Sequence, residues 1–116
     1  MPMKILVTGG GGYLGAVLVP RLLEAGYEVR VLDMLTHRVM SLLPVVDHPR
    51  FEFVYGDTRD PKTVEDALRS CDVVIPLAAV VGAPACDRDP VTAETVNLGA
   101  IRTLNKLRSR QQAVVF

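Results

Sequence analysis

The sequence predicts a doubly wound α/β domain: one parallel sheet with helices on both faces. Three observations predict it. Short apolar runs alternate without a break with helical patterns from Lys4 to Phe116, and each parallel crossover needs a helix to return the chain. The runs are apolar nearly throughout, as in strands buried on both faces. The first of them empties into four consecutive glycines, Gly9 to Gly12, just before the first helical pattern. Right-handed crossovers with a change of direction after the third strand give strand order 3-2-1-4-5.

Each element has its own local signal. Lys4 to Val7 is the first strand, stopped by Thr8 and the glycines. Leu14, Val17, Leu18, Leu22 and Leu23 have helical spacing and predict a helix over 13–25, with Gly26 at its C-cap. Pro20 removes the hydrogen bond to the Ala16 carbonyl and is expected to kink that helix. Glu28 to Leu32 is the second strand, closed by Asp33. Thr36 to Leu43 is a weaker helix ended by Pro44, and Phe51 to Tyr55 is the third strand. Asp60-Pro61, an acidic N-cap followed by proline at the first helical position, opens a helix to Ser70. Val73 to Leu77 is the fourth strand. Asp89-Pro90 repeats that opening and starts a long helix to about Arg110, and Ala113 to Phe116 begins the fifth strand.

Composition narrows the function classes. A chain of 116 residues makes a single domain, and 49 % hydrophobic with 22 % charged residues supplies a packed core rather than a disordered chain. Thirteen Lys and Arg balance thirteen Asp and Glu, which argues against binding nucleic acid or an anionic membrane through charge. No apolar run approaches the roughly 20 residues that span a bilayer, and Met1-Pro2-Met3-Lys4 leads into Ile5-Leu6-Val7 with no signal-peptide pattern. Cys71 and Cys86 are too few for a disulfide framework, so the expectation is a cytoplasmic protein. There is no C-x-x-C or H-x-x-x-H spacing, and no metal site is expected. Cys71 reads as a buried small residue, Cys86 as a loop residue, and His37 and His48 as solvated.

The glycine loop carries the chemistry. Gly9, Gly12 and Gly15 form GxxGxxG, while Gly10, Gly12 and Gly15 form GxGxxG; both registers fit. Glycine permits the tight turn, lets backbone approach a pyrophosphate and lets the helix pack close to its strand. The helix N-terminus then offers free N–H groups and partial positive charge to the phosphates. Asp33 stands at the end of strand two, 18 residues past Gly15, where a carboxylate accepts hydrogen bonds from adenosine ribose hydroxyls. A Rossmann-like NAD-binding domain is the reading.

Thr8-Gly9-x-x-Gly12-Tyr13-Leu14-Gly15 also resembles the signature of the extended short-chain dehydrogenases/reductases, the NAD-dependent epimerase/dehydratase family. Gly56-Asp57 and Thr58 after strand three, Leu77-Ala78-Ala79 after strand four, and Asp89-Pro90 with Asn97 continue the resemblance in order. It implies cofactor contacts from Gly9, Gly12, Tyr13, Leu14, Gly15, Asp33, Asp57, Thr58, Leu77, Ala78, Ala79 and Asn97. Asp57 would meet the adenine amino group. Asn97, a poor helix former inside a predicted helix, serves either a structural bond or the active site. Val80 to Pro84 either lines a substrate site or only connects.

The chain also departs from the family. Pro76 stands where a histidine is frequent, and Ala100-Ile101 where a Gly-Thr pair is common. The family's Ser/Thr and its Tyr-x-x-x-Lys acid/base pair are missing, since none of Tyr13, Tyr27 and Tyr55 has lysine four residues on. The resemblance therefore implies the NAD-binding portion, residues 1–116, of an NAD-dependent nucleotide-sugar epimerase/dehydratase whose catalytic and substrate segments are absent here. The parent enzyme would be a homodimer, and this portion alone would be inactive. A non-catalytic NAD(P) sensor of related fold and a functionless remnant stay open beside that reading.

Overall fold

Five strands pair in parallel in the order β3-β2-β1-β4-β5, the order the crossover argument gives. The computed structural model describes residues 2–9, 13–34, 42–77 and 100–115. Along the chain these hold β1 (Lys4–Thr8), α1 (Tyr13–Glu24), β2 (Glu28–Asp33), a 3-10 turn (Leu43–Val45), β3 (Phe51–Tyr55), α2 (Pro61–Leu68), β4 (Val73–Pro76), α3 (Ala100–Leu107) and β5 (Ala113–Val114). Most of the predicted 36–43 helix and the start of the predicted helix at Asp89-Pro90 lie outside the described residues.

The strands alternate side chains between two cores. Ile5, Val7, Val29 and Val31 point to one face, where Val19 and Leu23 of α1 pack with Leu42 and Val45. Leu6, Leu32 and Val74 point to the other, against Val64, Ala67 and Leu68 of α2 and Leu104 of α3. Burial on both faces is why β4 is apolar throughout and β1 from Ile5 to Val7; β2 and β3 also carry charges, Glu28 and Arg30 in one and Glu52 in the other.

Local caps formed where their residue types require. Gly26 adopts φ +96°, and the end of α1 closes with Gly26 N–H on the Leu23 carbonyl (3.0 Å) and Tyr27 N–H on the Leu22 carbonyl (3.2 Å). That pair of bonds is a Schellman motif. Asp60 caps α2, accepting the Lys62 N–H at 3.2 Å and the Thr63 hydroxyl at 2.7 Å, with Pro61 opening the helix. Helix α1 continues through Pro20 to Glu24.

The structure corrects the reading in several places. The buried stripe of α1 is Gly15, Val19 and Leu23, while Leu14 and Val17 are exposed; apolar spacing offered two overlapping faces, and the sheet took the one that glycine lets approach. Leu43, the last residue of the predicted 36–43 helix, belongs with Pro44 to the 3-10 turn. Helix α3 ends at Leu107, short of Arg110, because the Gln112 side chain accepts the Ser109 N–H at 2.9 Å and turns the chain. His48 is half-buried, with Nδ1 accepting the Arg50 N–H at 3.1 Å. Strand β5 spans Ala113–Val114, and Phe116 lies outside the described residues.

Helix α2 stops at Leu68, two residues before the predicted Ser70. Arg69 (φ −58°, ψ 129°) and Ser70 (φ 66°) form a turn closed by the Cys71 N–H on the Leu68 carbonyl at 3.1 Å. These angles describe a type II turn, whose third position favours glycine. Ser70→Gly should therefore stabilise the domain by about 0.5–1 kcal/mol, the left-handed cost of a side chain less the entropy of glycine. Thermal unfolding reads this as a rise of a few degrees in Tm; a lower Tm would mean that serine fits the turn at no cost.

Candidate functional site

The carboxyl ends of four strands meet along one edge of the sheet. In spatial order the residues leaving them are Gly56-Asp57 after β3, Asp33 at the end of β2, Gly9 after β1 and Leu77 after β4. Backbone bonds stitch this edge together. Gly56 N–H donates to the Asp33 carbonyl (3.2 Å), Gly9 N–H to the Leu32 carbonyl (2.8 Å) and Leu77 N–H to the Thr8 carbonyl (2.8 Å). Successive strands run outward from β1 to β3, and then the chain returns to β4 on the other side of β1. Gly9 and Leu77 thus flank the switch point, where open α/β sheets bind ligands.

Gly9 has φ +76°, a left-handed conformation that turns the chain out of β1. Its N–H is already held by the Leu32 carbonyl at 2.8 Å, so this amide is not offered to a ligand. The next element is α1, whose N-terminus lies at Tyr13 and favours an anion. Gly15 is buried in its first turn, as close packing of helix on strand requires. Leu14 is exposed at 64 %. Gly10, Gly12, Ala78, Ala79 and Asn97 lie outside the described residues, as do His37 and Cys86.

The acidic side of the edge is the most detailed. Asp33 pairs in register with Tyr55, which sets Asp33 beside the start of the Gly56–Asp60 turn. A Cβ on Gly56 would sit 2.6 Å from Thr63 Cγ2 and 3.2 Å from Leu32 Cδ1, so this position takes glycine for space. Thr58 is buried. The turn closes with the Asp60 N–H on the Asp57 carbonyl at 3.0 Å.

Within this turn the Asp57 carboxylate is gripped by Arg59. Oδ1 accepts the Arg59 backbone N–H at 2.8 Å. The guanidinium Nε lies 3.0 Å from Oδ1 and 2.9 Å from Oδ2, and Nη2 lies 2.7 Å from Oδ2. The side-chain bonds from Arg59 hold the Asp57 carboxyl below the ordinary carboxylate range, against the opposing effect of burial. Arg59 was not among the residues the sequence pointed to. Its signal was a cation two residues after an acid at a strand end, a spacing at which an Asx turn brings side chain and backbone together.

Cys71 is buried and its Sγ lies 3.5 Å from the Ala67 carbonyl. Burial pushes this thiol up, which suits a packing residue and not a nucleophile. Among the described residues no three His, Cys, Asp or Glu gather as a metal site, and no helix is long and apolar enough to cross a membrane.

The model of the NAD dependent epimerase/dehydratase family matches residues 5–116. A 3 beta-hydroxysteroid dehydrogenase/Delta 5-->4-isomerase of Mycobacterium tuberculosis is 37 % identical over 97 % of this chain, which spans 29 % of that protein. A dTDP-glucose 4,6-dehydratase of Streptomyces niveus is 38 % identical over 66 % of this chain and 25 % of its own length. Among solved structures, DesIV, a dTDP-glucose 4,6-dehydratase from Streptomyces venezuelae with NAD and TYD bound, superposes with a TM-score of 0.83 at 34 % identity, over 90 % of this chain and 35 % of that one. The NAD complex of UDP-glucose 4-epimerase from Thermus thermophilus gives 0.77 at 34 % identity, over 90 % and 33 %. The chain thus spans about a third or less of the length of these relatives.

Proposed function

The chain belongs to the NAD-dependent epimerase/dehydratase family, and from that premise we propose that it binds NAD across the carboxyl edge of its sheet as part of an enzyme acting on nucleotide sugars. One observation carries the placement. The edge is asymmetric, with a left-handed glycine and a helix N-terminus at β1 and two carboxylate residues, Asp33 and Asp57, at β2 and β3. Acceptors on one side suit the hydroxyl and amino donors of adenosine, and a helix N-terminus suits the pyrophosphate. Asp33 binds the ribose hydroxyls and Asp57 the adenine amino group. The turn at Gly9 brings the start of α1 to the phosphates, and Leu77, after β4 on the other side of β1, lies toward the nicotinamide. Bound NAD supplies the hydride acceptor for oxidation of a sugar carbon.

A second reading has a specific support. The relatives matched over 97 % of this chain include hydroxysteroid dehydrogenases, which points to a steroid alcohol. Both substrate classes offer a carbinol carbon to the same cofactor.

Isothermal titration of the 116-residue chain with NAD tests the binding. Saturable binding is expected, and no heat beyond dilution from a folded sample would overturn the proposal. The same chain is expected to show no turnover. Hydride removal needs a proton acceptor within about 2.6–3.2 Å of the substrate hydroxyl, and the sequence holds no Tyr-x-x-x-Lys pair. NADH formation from a panel of nucleotide sugars and 3-hydroxysteroids should stay at background; activity would demand an acid/base other than that pair.

A further inference from the structure

Pro76 stands on a strand with a neighbour on each side, β1 and β5. Proline has no N–H to give a ladder and is ordinarily confined to edge strands, strand starts and bulges. Here it divides the pairing of β4. On the β1 side the register runs on to Thr8 and Pro76, and the Leu77 N–H still reaches the Thr8 carbonyl at 2.8 Å. On the β5 side it stops at Val74 and Val114. Residues of a parallel strand bond alternately to their two neighbours. The Val74 carbonyl takes the Val115 N–H at 2.9 Å, so position 76 also faces β5. The next bond of that ladder would run from its N–H to the Val115 carbonyl, and proline cannot make it.

We propose that Pro76 is a positioning residue that forks the sheet between β4 and β5 at the carboxyl edge, and that this fork holds the nicotinamide end of the cofactor. This rests on the NAD reading above and adds to it the residue that makes room for the ring. Pro76 registers with Thr8, which precedes the left-handed Gly9, so the fork opens beside the switch point. A closed ladder would hold the chain beyond Val114 alongside β4, toward Leu77, at the usual strand spacing of about 4.8 Å. The missing bond releases it there. Val115 is 50 % exposed, and water in place of the missing donor keeps the cost of the opening low. The rest of the edge is untouched. Gly9 and Leu77 keep their bonds to the Leu32 and Thr8 carbonyls, so the adenosine and pyrophosphate half of the site does not depend on Pro76.

That separation gives the test: calorimetric titration of the 116-residue chain with NAD and with ADP-ribose, which lacks only the nicotinamide. The unmodified chain should prefer NAD by about fivefold or more, as burial of part of a ring gives. Pro76→Ala restores the N–H and closes the ladder. The preference should fall to about twofold or less, through loss of NAD affinity, with ADP-ribose held within about twofold of the unmodified chain. Hydrogen exchange should show the amide introduced at position 76 protected by about tenfold or more. An unchanged preference would overturn the inference, as would equal loss for both ligands or an unprotected amide. Should thermal unfolding show that this variant does not fold, the unmodified chain decides by NMR. NAD, and not ADP-ribose, should shift the Leu77 and Val115 amide resonances; shifts equal with both ligands, or absent with both, would overturn the inference. Equal affinity of the unmodified chain for the two ligands would overturn it and leave the adenosine site standing. Binding of neither would overturn the NAD reading itself.

Discussion

Replacing Arg30 by alanine should cost the domain about 2–4 kcal/mol, a large part of the roughly 5–15 kcal/mol that holds a typical domain folded. Arg30 lies in the middle of β2, and its side chain is only 11 % exposed. Its Nη1 donates to the Ala67 and Arg69 carbonyls, both at 2.7 Å, and reaches Cys71 Sγ at 3.6 Å. Its Nε bonds Glu52 Oε1 of β3 at 2.6 Å. One cation thus joins two strands to the C-terminal end of α2, where the helix dipole is negative. The Glu52 pair contributes little, since Glu52 is 48 % exposed. The loss comes mainly from the part-buried Ala67 carbonyl, which loses the guanidinium donor, while the Arg69 carbonyl is exposed to water. Gln112, which donates to the Leu68 and Cys71 carbonyls at 2.7 and 2.9 Å, cannot also serve Ala67 and Arg69. Urea unfolding followed by circular dichroism should show the midpoint falling by about 1–2 M. A midpoint within experimental error of the unmodified chain would show that water replaces the guanidinium without penalty.

Asp33→Ala should weaken NAD by about 10- to 100-fold and erase most of the preference for NAD over NADP. The backbone of Asp33 is fixed by the sheet, through its register with Tyr55 and its carbonyl on the Gly56 N–H at 3.2 Å. In the proposed NAD site a carboxylate there would accept from the ribose 2′-hydroxyl, a bond to a charged group of about 1.5–3 kcal/mol. The 2′-phosphate of NADP meets like charge at the same place, so the unmodified chain should hold NAD more than about tenfold tighter. Alanine removes both the attraction and the repulsion. Titrations with the two cofactors decide it. Equal affinities in the unmodified chain, or tighter NADP, would remove Asp33 from the ribose.

Much of this architecture was legible in the sequence because its determinants are local. Gly26 ends α1 through bonds to Leu22 and Leu23, and Asp60 starts α2 through bonds to Lys62 and Thr63. Each is written within a few residues of chain. Strand order needed only the alternation of elements and the handedness of crossovers. The glycine run and the acid at the end of strand two fall, as their sequence positions require, at the carboxyl ends of the neighbouring strands β1 and β2, the spacing a dinucleotide's phosphates and ribose would use.

Other features depended on which surfaces packed together. Leu14, Val17, Val19 and Leu23 are all apolar, and spacing alone could not say that Val19 and Leu23 would be buried and Leu14 and Val17 exposed. Packing against Ile5, Val7, Val29 and Val31 of the sheet decided it, with Gly15 buried in the same helix. The orientation of the Arg59 fork depends on a rotamer and a turn, which residue spacing suggests only in outline. Arg30 reads in sequence as a charge out of place in a buried strand; its partners at Ala67, Arg69 and Cys71 lie 37 to 41 residues away. Bonds between near neighbours are set by backbone geometry that the local sequence dictates. Bonds across such separations exist only once the sheet has brought α2 over β2, and no local pattern specifies that encounter.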